Sequence, residues 1–343
     1  MSEIYSIGFG VGTCNSNGEW LEVYYPQPLF KPSADVAAAV KETLKIDGGN
    51  HSLALDPAQL QPLADKLAGA GANDQADILR QFASSQRPLV AVVLTSDEAP
   101  QSVPEAYLKL HLLSHRLVKP HQTNLDGIFG KLVNVAWTNQ GAIDLEELPQ
   151  RQLEARLKGE HLEVACVDKF PKMTNYVVPA GVRIAHTARV RLGAYLGEGT
   201  TIMHEGFVNF NAGTEGPGMI EGRISAGVFV GAGSDLGGGS STMGTLSGGG
   251  NIVISVGDNC LLGANAGIGI PLGDRCTVES GLYVTAGTKV ALLDDSGKLV
   301  EHVKARDLAG KSDLLFRRNS TSGAVECLTN KSAVELNAAL HSN

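Results

Sequence analysis

Aliphatic residues recur at every sixth position in the second half of the chain. Counting in steps of six gives Val178, Ile184, Val190, Leu196, Ile202 and Val208. The residues four places further on are small or of modest size: Val182, Ala188, Ala194, Thr200, Gly206 and Ala212. A triangular coil with one inward aliphatic side chain per face produces this pattern, whereas a β-sandwich alternates with a period of two. We therefore predict a left-handed parallel β-helix of hexapeptide repeats over residues 176–291.

The six-residue count is interrupted by two glycine-rich segments. The first clean register covers residues 178–213, and residues 213–219 and 237–251 break the count. The pattern resumes after each break and takes a shifted register from Leu272 onward. Because loops that leave a rigid scaffold commonly carry function, we expect these breaks to flank the site.

The first 120 residues follow a different pattern, which predicts an N-terminal α/β domain. The expected elements are strands over 3–10, 19–25 and 89–94 and helices over 56–67, 73–83 and 102–118. Ser102 and Glu105 have the spacing of a capping box at the start of the last helix.

Two further segments complete the predicted organisation of this mainly β chain. Residues 121–175 are predicted to form a connector. Residues 292–343 are predicted to form a small strand-rich C-terminal tail, closed by a short helix over 333–340.

Composition narrows the class of protein. Glycine accounts for 41 of 343 residues, which suits a chain with many tight turns. The net charge of −8 argues against nucleic acid as a partner, since nucleic-acid binding requires a basic surface. The sequence contains no apolar run long enough for a membrane span and no signal-peptide pattern at its start. Five widely spaced cysteines favour reduced thiols, and therefore a cytoplasmic protein.

Several short motifs lie within and beyond the repeats. They are MHEGFVNFNAGT at 203–214, IEGRIS at 220–225, GTLSGGG at 244–250, LGAN at 262–265 and FRRN at 316–319. Together they resemble the tetrahydrodipicolinate N-succinyltransferase family in its long form, and the resemblance extends over nearly the whole chain.

The resemblance implies a hexapeptide-repeat acyltransferase. The implied reaction transfers the succinyl group of succinyl-CoA to the amino group of L-2-amino-6-oxopimelate, the open form of tetrahydrodipicolinate, in lysine and diaminopimelate biosynthesis. It also implies a homotrimer with sites between neighbouring subunits, and a co-substrate rather than a tightly bound cofactor. Three other functions stay open: a different hexapeptide-repeat CoA-dependent N-acyltransferase, a zinc-dependent β-helical carbonic anhydrase, and a non-catalytic scaffold.

Glu205 is the catalytic residue that the resemblance implies. The carboxylate could act as a general base toward the amine or attack the thioester to form a mixed anhydride. From its position alone, Glu205 would be a solvated residue on an outer face.

His186 and His204 are 18 residues apart and should stack on one face, as the histidines of β-helical zinc-dependent carbonic anhydrases do. A third histidine of similar placement is missing between His204 and His302, so we predict no metal site.

Binding of CoA requires backbone donors along the pantetheine arm and cations near its phosphates. By resemblance and by this requirement, the candidates are Gly222, Ser225, Gly248, Gly263, Ala264, Lys289 and Lys304. Arg306 is a third cation near the last two.

Overall fold

The computed structural model describes residues 4–244 and 252–329. The chain divides into two compact units, one comprising residues 1–112 and 123–171 and the other residues 113–122 and 172–343. Most of the predicted connector therefore groups with the first unit. The division into four segments stays a prediction.

The first unit contains helices and antiparallel strands. Its elements are β1 (Ser6–Cys14), β2 (Trp20–Tyr24), β3 (Leu29–Phe30), α1 (Ala34–Leu44), β4 (His51–Ala54), α2 (Pro57–Gly69), α3 (Asn73–Phe82), β5 (Leu89–Leu94), α4 (Val103–Ser114), α5 (Ile128–Lys131), β6 (Val135–Thr138), β7 (Gly141–Asp144), α6 (Leu148–Leu157) and β8 (Val164–Asp168). The last two residues of α4 are assigned to the second unit.

Two antiparallel sheets organise these elements. One has the strand order β2-β1-β5-β4, with β3 paired to β1, and the other has the order β7-β6-β8. All six residues of β5 are buried, and the core beneath them includes Val40, Leu63 and Leu79. The predicted strand over 89–94 and the two helices near 56–83 are confirmed, whereas α1 was not predicted.

Helix α4 begins as predicted but ends earlier. The Glu105 N–H donates to the Ser102 hydroxyl at 3.4 Å, which is half of a capping box. The Glu105 carboxylate instead accepts the Gln101 N–H at 3.0 Å. The helix ends at Ser114 rather than near residue 118, because Arg116 has a φ of 62°, outside the helical region. The Ser114 hydroxyl donates to the Ala194 carbonyl and accepts the Gly193 N–H.

The second unit consists mainly of very short strands. They are β9 (Arg183–Ile184), β10 (Ala194–Leu196), β11 (Thr200–Ile202), β12 (Phe207–Val208), β13 (Ala212–Thr214), β14 (Gly218–Ile220), β15 (Arg223–Ile224), β16 (Phe229–Val230), β17 (Asp235–Leu236), β18 (Ser241–Thr242), β19 (Ser255–Val256), β20 (Leu261–Leu262), β21 (Gly267–Gly269), β22 (Thr277–Val278), β23 (Tyr283–Thr285), β24 (Lys289–Leu293), β25 (Leu299–Lys304), β26 (Leu314–Arg318) and β27 (Val325–Thr329). Short 3₁₀ helices cover Met173–Asn175, Thr187–Arg189 and Ala305–Leu308.

The short strands form three parallel ladders, which we call faces. The first face contains β9, β11, β14, β17, β20 and β22, the second contains β12, β15, β18, β21 and β23, and the third contains β10, β13, β16 and β19. The chain visits the faces in rotation, and early coils pair residues 18 apart, such as Thr200 with Gly218. This is the three-sided coil with hexapeptide periodicity that the sequence predicts.

The predicted inward positions are buried, with two exceptions at the start. Val190, Leu196, Ile202 and Val208 are fully buried. Val178, in contrast, is 68% exposed, and Ile184 is only partly buried. The prediction was wrong for Val178 because this residue precedes β9, the first described strand of the ladder.

Both predicted interruptions were placed too early, because threonine occupies two inward positions. Thr214 and Thr242 are almost completely buried and continue the six-residue count. Their hydroxyls bond to backbone inside the coil: Thr214 accepts the Gly216 N–H, and Thr242 donates to the Arg223 carbonyl. The first register therefore continues to Ile220, and residues 213–219 form strands β13 and β14 instead of a loop.

The described coil has three irregularities. One is the shifted register from Leu272, since Leu262 pairs with Val278 at a spacing of 16. Val208 pairs with Ile224, a spacing of 16, because the chain is shortened between Ile220 and Ile224. Val230 pairs with Val256, a spacing of 26, because additional residues follow Thr242.

The C-terminal strands extend the first face. Phe316 is fully buried and pairs in parallel with Val278, so it continues the inward column at the end of the coil. Strand β26 also pairs with β27, and β27 with β24. The predicted helix over 333–340 lies outside the described residues. Among the helices that the structure describes, none is long and apolar enough to cross a membrane.

Candidate active site

Glu205 lies at the corner between the first and second faces, which we call the Glu205 corner. In its own coil this corner consists of residues 203–206, between Ile202 of β11 and Phe207 of β12. Glu205 and His204 are both exposed, while Gly206 is buried. The exposed carboxylate is therefore accessible to a substrate.

The turn that presents Glu205 is tied to the next coil. The Met203 N–H donates to the Ile220 carbonyl at 3.0 Å, and the Gly206 N–H donates to the Met203 carbonyl at 3.0 Å. A Cβ at Gly206 would lie 2.3 Å from the Ile220 carbonyl oxygen, so only glycine permits this close approach. Gly206, which follows Glu205, therefore allows this turn to pack directly against the next coil.

Arg189 binds the same turn from the preceding coil. Its Nη2 donates to the Glu205 carbonyl at 2.9 Å and its Nε donates to the Gly206 carbonyl at 3.2 Å. Its guanidinium carbon lies 5.7 Å from the centre of the Phe207 ring. These contacts hold the Glu205 backbone while the carboxylate remains exposed.

Three predicted CoA-binding residues occupy the same corner in later coils. Gly222, Gly263 and Ala264 follow Ile220 and Leu262, which continue the Ile202 column of the first face. Ala264 is exposed and Gly263 is partly buried. At roughly 4.8 Å per strand, Ala264 is about 14 Å from Glu205 along the coil axis.

Gly222 faces inward rather than toward solvent. It is buried, and a Cβ there would lie 2.1 Å from the Ser240 hydroxyl oxygen. Its carbonyl accepts the Phe207 N–H at 3.0 Å. The absence of a side chain at this position therefore allows adjacent coils to pack.

Comparison with known proteins identifies the family. Family models match residues 73–130 (tetrahydrodipicolinate N-succinyltransferase N-terminal), residues 132–172 (tetrahydrodipicolinate N-succinyltransferase middle) and residues 253–286 (hexapeptide repeat of succinyl-transferase). A 2,3,4,5-tetrahydropyridine-2,6-dicarboxylate N-succinyltransferase of Pseudomonas putida is 71% identical over 99% of this chain and 98% of its own length. The chain belongs to the tetrahydrodipicolinate N-succinyltransferase family.

More distant relatives agree with this assignment. The Vibrio cholerae protein of the same name is 62% identical over 99% of both chains. A crystal structure from Campylobacter jejuni, described as a candidate 2,3,4,5-tetrahydropyridine-2-carboxylate N-succinyltransferase, superposes with a TM-score of 0.89 at 34% identity. It covers 98% of this chain and 94% of its own. As a member of this family, the chain is an acyltransferase.

Two other predicted CoA-binding residues, Ser225 and Gly248, are not found at the Glu205 corner among the described residues. Ser225 follows β15 on the second face, where its hydroxyl donates to the Thr242 carbonyl at 2.6 Å. Its N–H donates to the Thr242 hydroxyl at 3.1 Å. Gly248 lies outside the described residues.

The two predicted phosphate-binding lysines are brought together. Lys289 and Lys304 are directly opposite one another in the antiparallel ladder of β24 and β25, and both are exposed. Two positive charges directly opposite one another in a ladder repel each other. An anion bound between the two ammonium groups would remove this repulsion. In the sheet of the first face, β24 lies beyond β22, β26 and β27, so the lysine pair is at the C-terminal end of the coil, on the side toward which the corner column runs from Glu205.

The thiols inside the coil are not suited to nucleophilic catalysis. Cys260, Cys276 and Cys327 are free and buried. Burial raises the pKa of Cys327 to about 12. The hydrogen bond with Cys276, together with burial, raises the pKa of Cys260. The hydrogen bond with Cys260 lowers the pKa of Cys276, but Cys276 is completely buried and a substrate cannot reach it. The exposed Glu205 is therefore the stronger candidate nucleophile.

His186 and His204 are aligned as predicted, since Arg183 pairs with Thr201 and Ile184 with Ile202. No cluster of three or more His, Cys, Asp or Glu residues that could hold a metal occurs within 4–244 and 252–329.

Two residues at the Glu205 corner were not predicted. Arg189 could not be predicted from the sequence, because its hydrogen bond to the Glu205 carbonyl depends on how successive coils stack. Glu221 belongs to the IEGRIS motif, and a count of four residues from Ile220 to Ile224 is the sequence signal for the shortened corner that it occupies.

Proposed function

We propose that this protein transfers the succinyl group of succinyl-CoA to the amino group of L-2-amino-6-oxopimelate, the open form of tetrahydrodipicolinate. This is a step in lysine and diaminopimelate biosynthesis. Family membership supports the reaction, and the presentation of Glu205 supports its location. Arg189 holds the backbone carbonyl of Glu205, and the exposed carboxylate lies at the start of a corner column of small residues.

Glu205 can serve the reaction in two ways. As a general base, it takes a proton from the amine while the nitrogen attacks the thioester carbonyl and CoA leaves as the thiolate. As a nucleophile, its oxygen attacks the thioester carbonyl and CoA leaves as the thiolate. The amine then attacks the succinyl carbonyl of the anhydride, the carboxylate of Glu205 is released, and this carboxylate takes up the proton that the nitrogen loses. Acid quenching with succinyl-CoA alone separates them, because only the second route adds one succinyl mass to the protein.

The donor would extend along the coil from Glu205. Glycine and alanine in the corner column leave the backbone accessible to the pantetheine amides near Gly263 and Ala264. Ser225 and Gly248 remain candidates for the same arm. The Lys289–Lys304 pair would receive a phosphate of CoA, the co-substrate; no tightly bound cofactor is part of the proposal.

The lysine assignment has a direct test. Lys304→Glu places a negative charge opposite Lys289 and should raise the KM for succinyl-CoA roughly tenfold, while the KM for the amine changes less than about twofold. Equal changes in both KM values would contradict a phosphate site there.

The proposal also includes the assembly. We expect left-handed winding of the coil and a homotrimer with sites between subunits, as the resemblance implies. A cytoplasmic location is consistent with the free thiols, including the exposed Cys166.

A thiol-release assay tests the function. Purified protein is mixed with succinyl-CoA and L-2-aminopimelate, an acceptor with the same amino group. Release of CoA that requires both substrates supports the proposal. Equal release with acetyl-CoA would favour another acyltransferase, and no release with any acyl donor would favour a scaffold.

A further inference from the structure

The coil is two residues shorter at one point of the Glu205 corner. Between the first and second faces, inward residues are six apart in the other described coils, for example Ile202 to Val208 and Leu236 to Thr242. From Ile220 to Ile224 the separation is four. Only Glu221 and Gly222 therefore form the corner between β14 and β15.

The shortened corner leaves a notch between two longer ones. The preceding coil contributes the four-residue turn that carries Glu205, and the following coil contributes the turn 237–240. The Gly239 N–H donates to the Glu221 carbonyl at 3.4 Å, and the Phe207 N–H donates to the Gly222 carbonyl at 3.0 Å. The two longer turns are thus tied to the short one, which is recessed between them.

The side chain of Glu221 lies at this notch. Glu221 is partly buried, and its Oε2 lies 3.7 Å from the position that a Cβ at Gly238 would occupy. Within the described part of the chain, no hydrogen bond or ion pair engages this carboxylate. It is therefore a second carboxylate, one coil beyond the turn of Glu205, with space beside it.

We propose that the notch is the subsite for the amino group of the acceptor, and that Glu221 binds this group as an ammonium ion before transfer. The inference rests on the proposed function. Glu221 is a less exposed residue than Glu205, and water screens an ion pair less at a less exposed residue. Glu221 is a specificity-determining residue in this account, while Glu205 performs the chemistry.

The geometry favours an ammonium over an anionic group of the acceptor. Glu221 and Glu205 contribute negative charge at neighbouring coils, which would repel a carboxylate. The Arg189 guanidinium near Glu205 is already engaged by the carbonyls of Glu205 and Gly206 and by the Phe207 ring. The Gly238 position has no side chain, so a ligand can approach Glu221 from the following turn.

Two substitutions at Glu221 test the subsite. Glu221→Gln removes the charge with little change in shape and should raise the KM for L-2-aminopimelate about ten- to hundredfold, with the KM for succinyl-CoA changed less than about twofold. Glu221→Asp keeps the charge and should restore part of the affinity.

Glu279 supplies the matched control. It follows Val278 on the first face as Glu221 follows Ile220, but its carboxylate accepts the Arg318 N–H at a full-length corner. Glu279→Gln should leave the KM for L-2-aminopimelate within about twofold.

Inhibition by pimelate, which has the two carboxylates but no amino group, distinguishes ammonium binding from a general distortion. In Glu221→Gln its inhibition constant should stay within about twofold of that of the wild type or improve. An equal loss of pimelate and aminopimelate binding would overturn the proposal, as would an unchanged KM for aminopimelate. If wild-type protein releases no CoA at all, the proposed function fails first, and this result is separate from both.

Discussion

Two corners of the same coil differ in regularity. At the corner between the third and first faces, which we call the regular corner, every described inward pair is six residues apart, from Leu196 and Ile202 to Leu272 and Val278. At the Glu205 corner, one coil is two residues short. Both corners join equally short strands, so the difference is confined to the turns themselves.

The regular corner is held by a ladder of side chains. The Ala232 N–H donates to the Asp258 carboxylate at 2.8 Å, and the Asp258 N–H donates to the Asp274 carboxylate at 2.9 Å. The Asp274 N–H continues the ladder to the Ser312 hydroxyl at 3.0 Å. Arg275 and Asp313 add a two-pronged ion pair beside it, at 2.6 and 2.8 Å.

The Glu205 corner has the opposite character. Among the described residues, none forms a hydrogen bond or ion pair with the carboxylate of Glu205 or of Glu221. Glycines occupy positions 237, 238 and 239 in the corner of the coil after Glu221. The comparison indicates a difference in role: polar side chains at the regular corner bond to the neighbouring coils, whereas Glu205 and Glu221 at the Glu205 corner are left available to a ligand.

The largest effect is expected from Glu205→Gln. Loss of the carboxylate removes either the base or the nucleophile, so kcat should fall by at least roughly a hundredfold in the thiol-release assay. The control is circular dichroism and oligomer mass, which should match those of the wild type. Turnover near that of the wild type would place the chemistry elsewhere.

A smaller effect is expected from Arg189→Ala. The substitution frees the carbonyls of Glu205 and Gly206, so the carboxylate is less well positioned and kcat should fall about tenfold. The KM values should change little, because Arg189 is a positioning residue that does not contact the substrate in this account. Arg189→Lys can restore one bond only and should be intermediate. A loss confined to KM would argue against positioning.

The smallest effect on activity is expected at the regular corner. Asp258→Ala breaks one rung of the ladder and should lower the free energy of unfolding by about 1 kcal/mol, with kcat within about twofold of the wild type. Thermal and urea unfolding measure the first quantity. A large loss of kcat without loss of stability would contradict the claim that the regular corner contributes to stability and not to activity.

The coil was predictable because its physical signature is periodic. One inward aliphatic residue every six positions is visible without structure, and so are the motif around Glu205 and the shifted register from Leu272. The exceptions have a physical cause: Thr214 and Thr242 satisfy their hydroxyls inside the coil, so polar residues occupy positions that a hydrophobic pattern assigns to turns.

The site was less predictable than the scaffold. The bonds from Arg189 to Glu205 and the opposition of Lys289 and Lys304 depend on strand register, which residue types do not specify. The short corner at Glu221 was hidden because the break was assigned to residues 213–219. The count therefore indicated that an interruption exists but misplaced it by several residues.

The most direct test of the account inserts Gly-Ser at each corner in turn. Between Glu221 and Gly222, the insertion restores the six-residue spacing and fills the notch. Between Ala232 and Gly233, the same insertion lengthens a turn that is already regular. We predict that the first variant keeps a Tm close to that of the wild type but loses kcat/KM for L-2-aminopimelate by roughly a hundredfold, while the second loses Tm. Wild-type activity in the first variant would contradict the claim that the short corner forms the acceptor site.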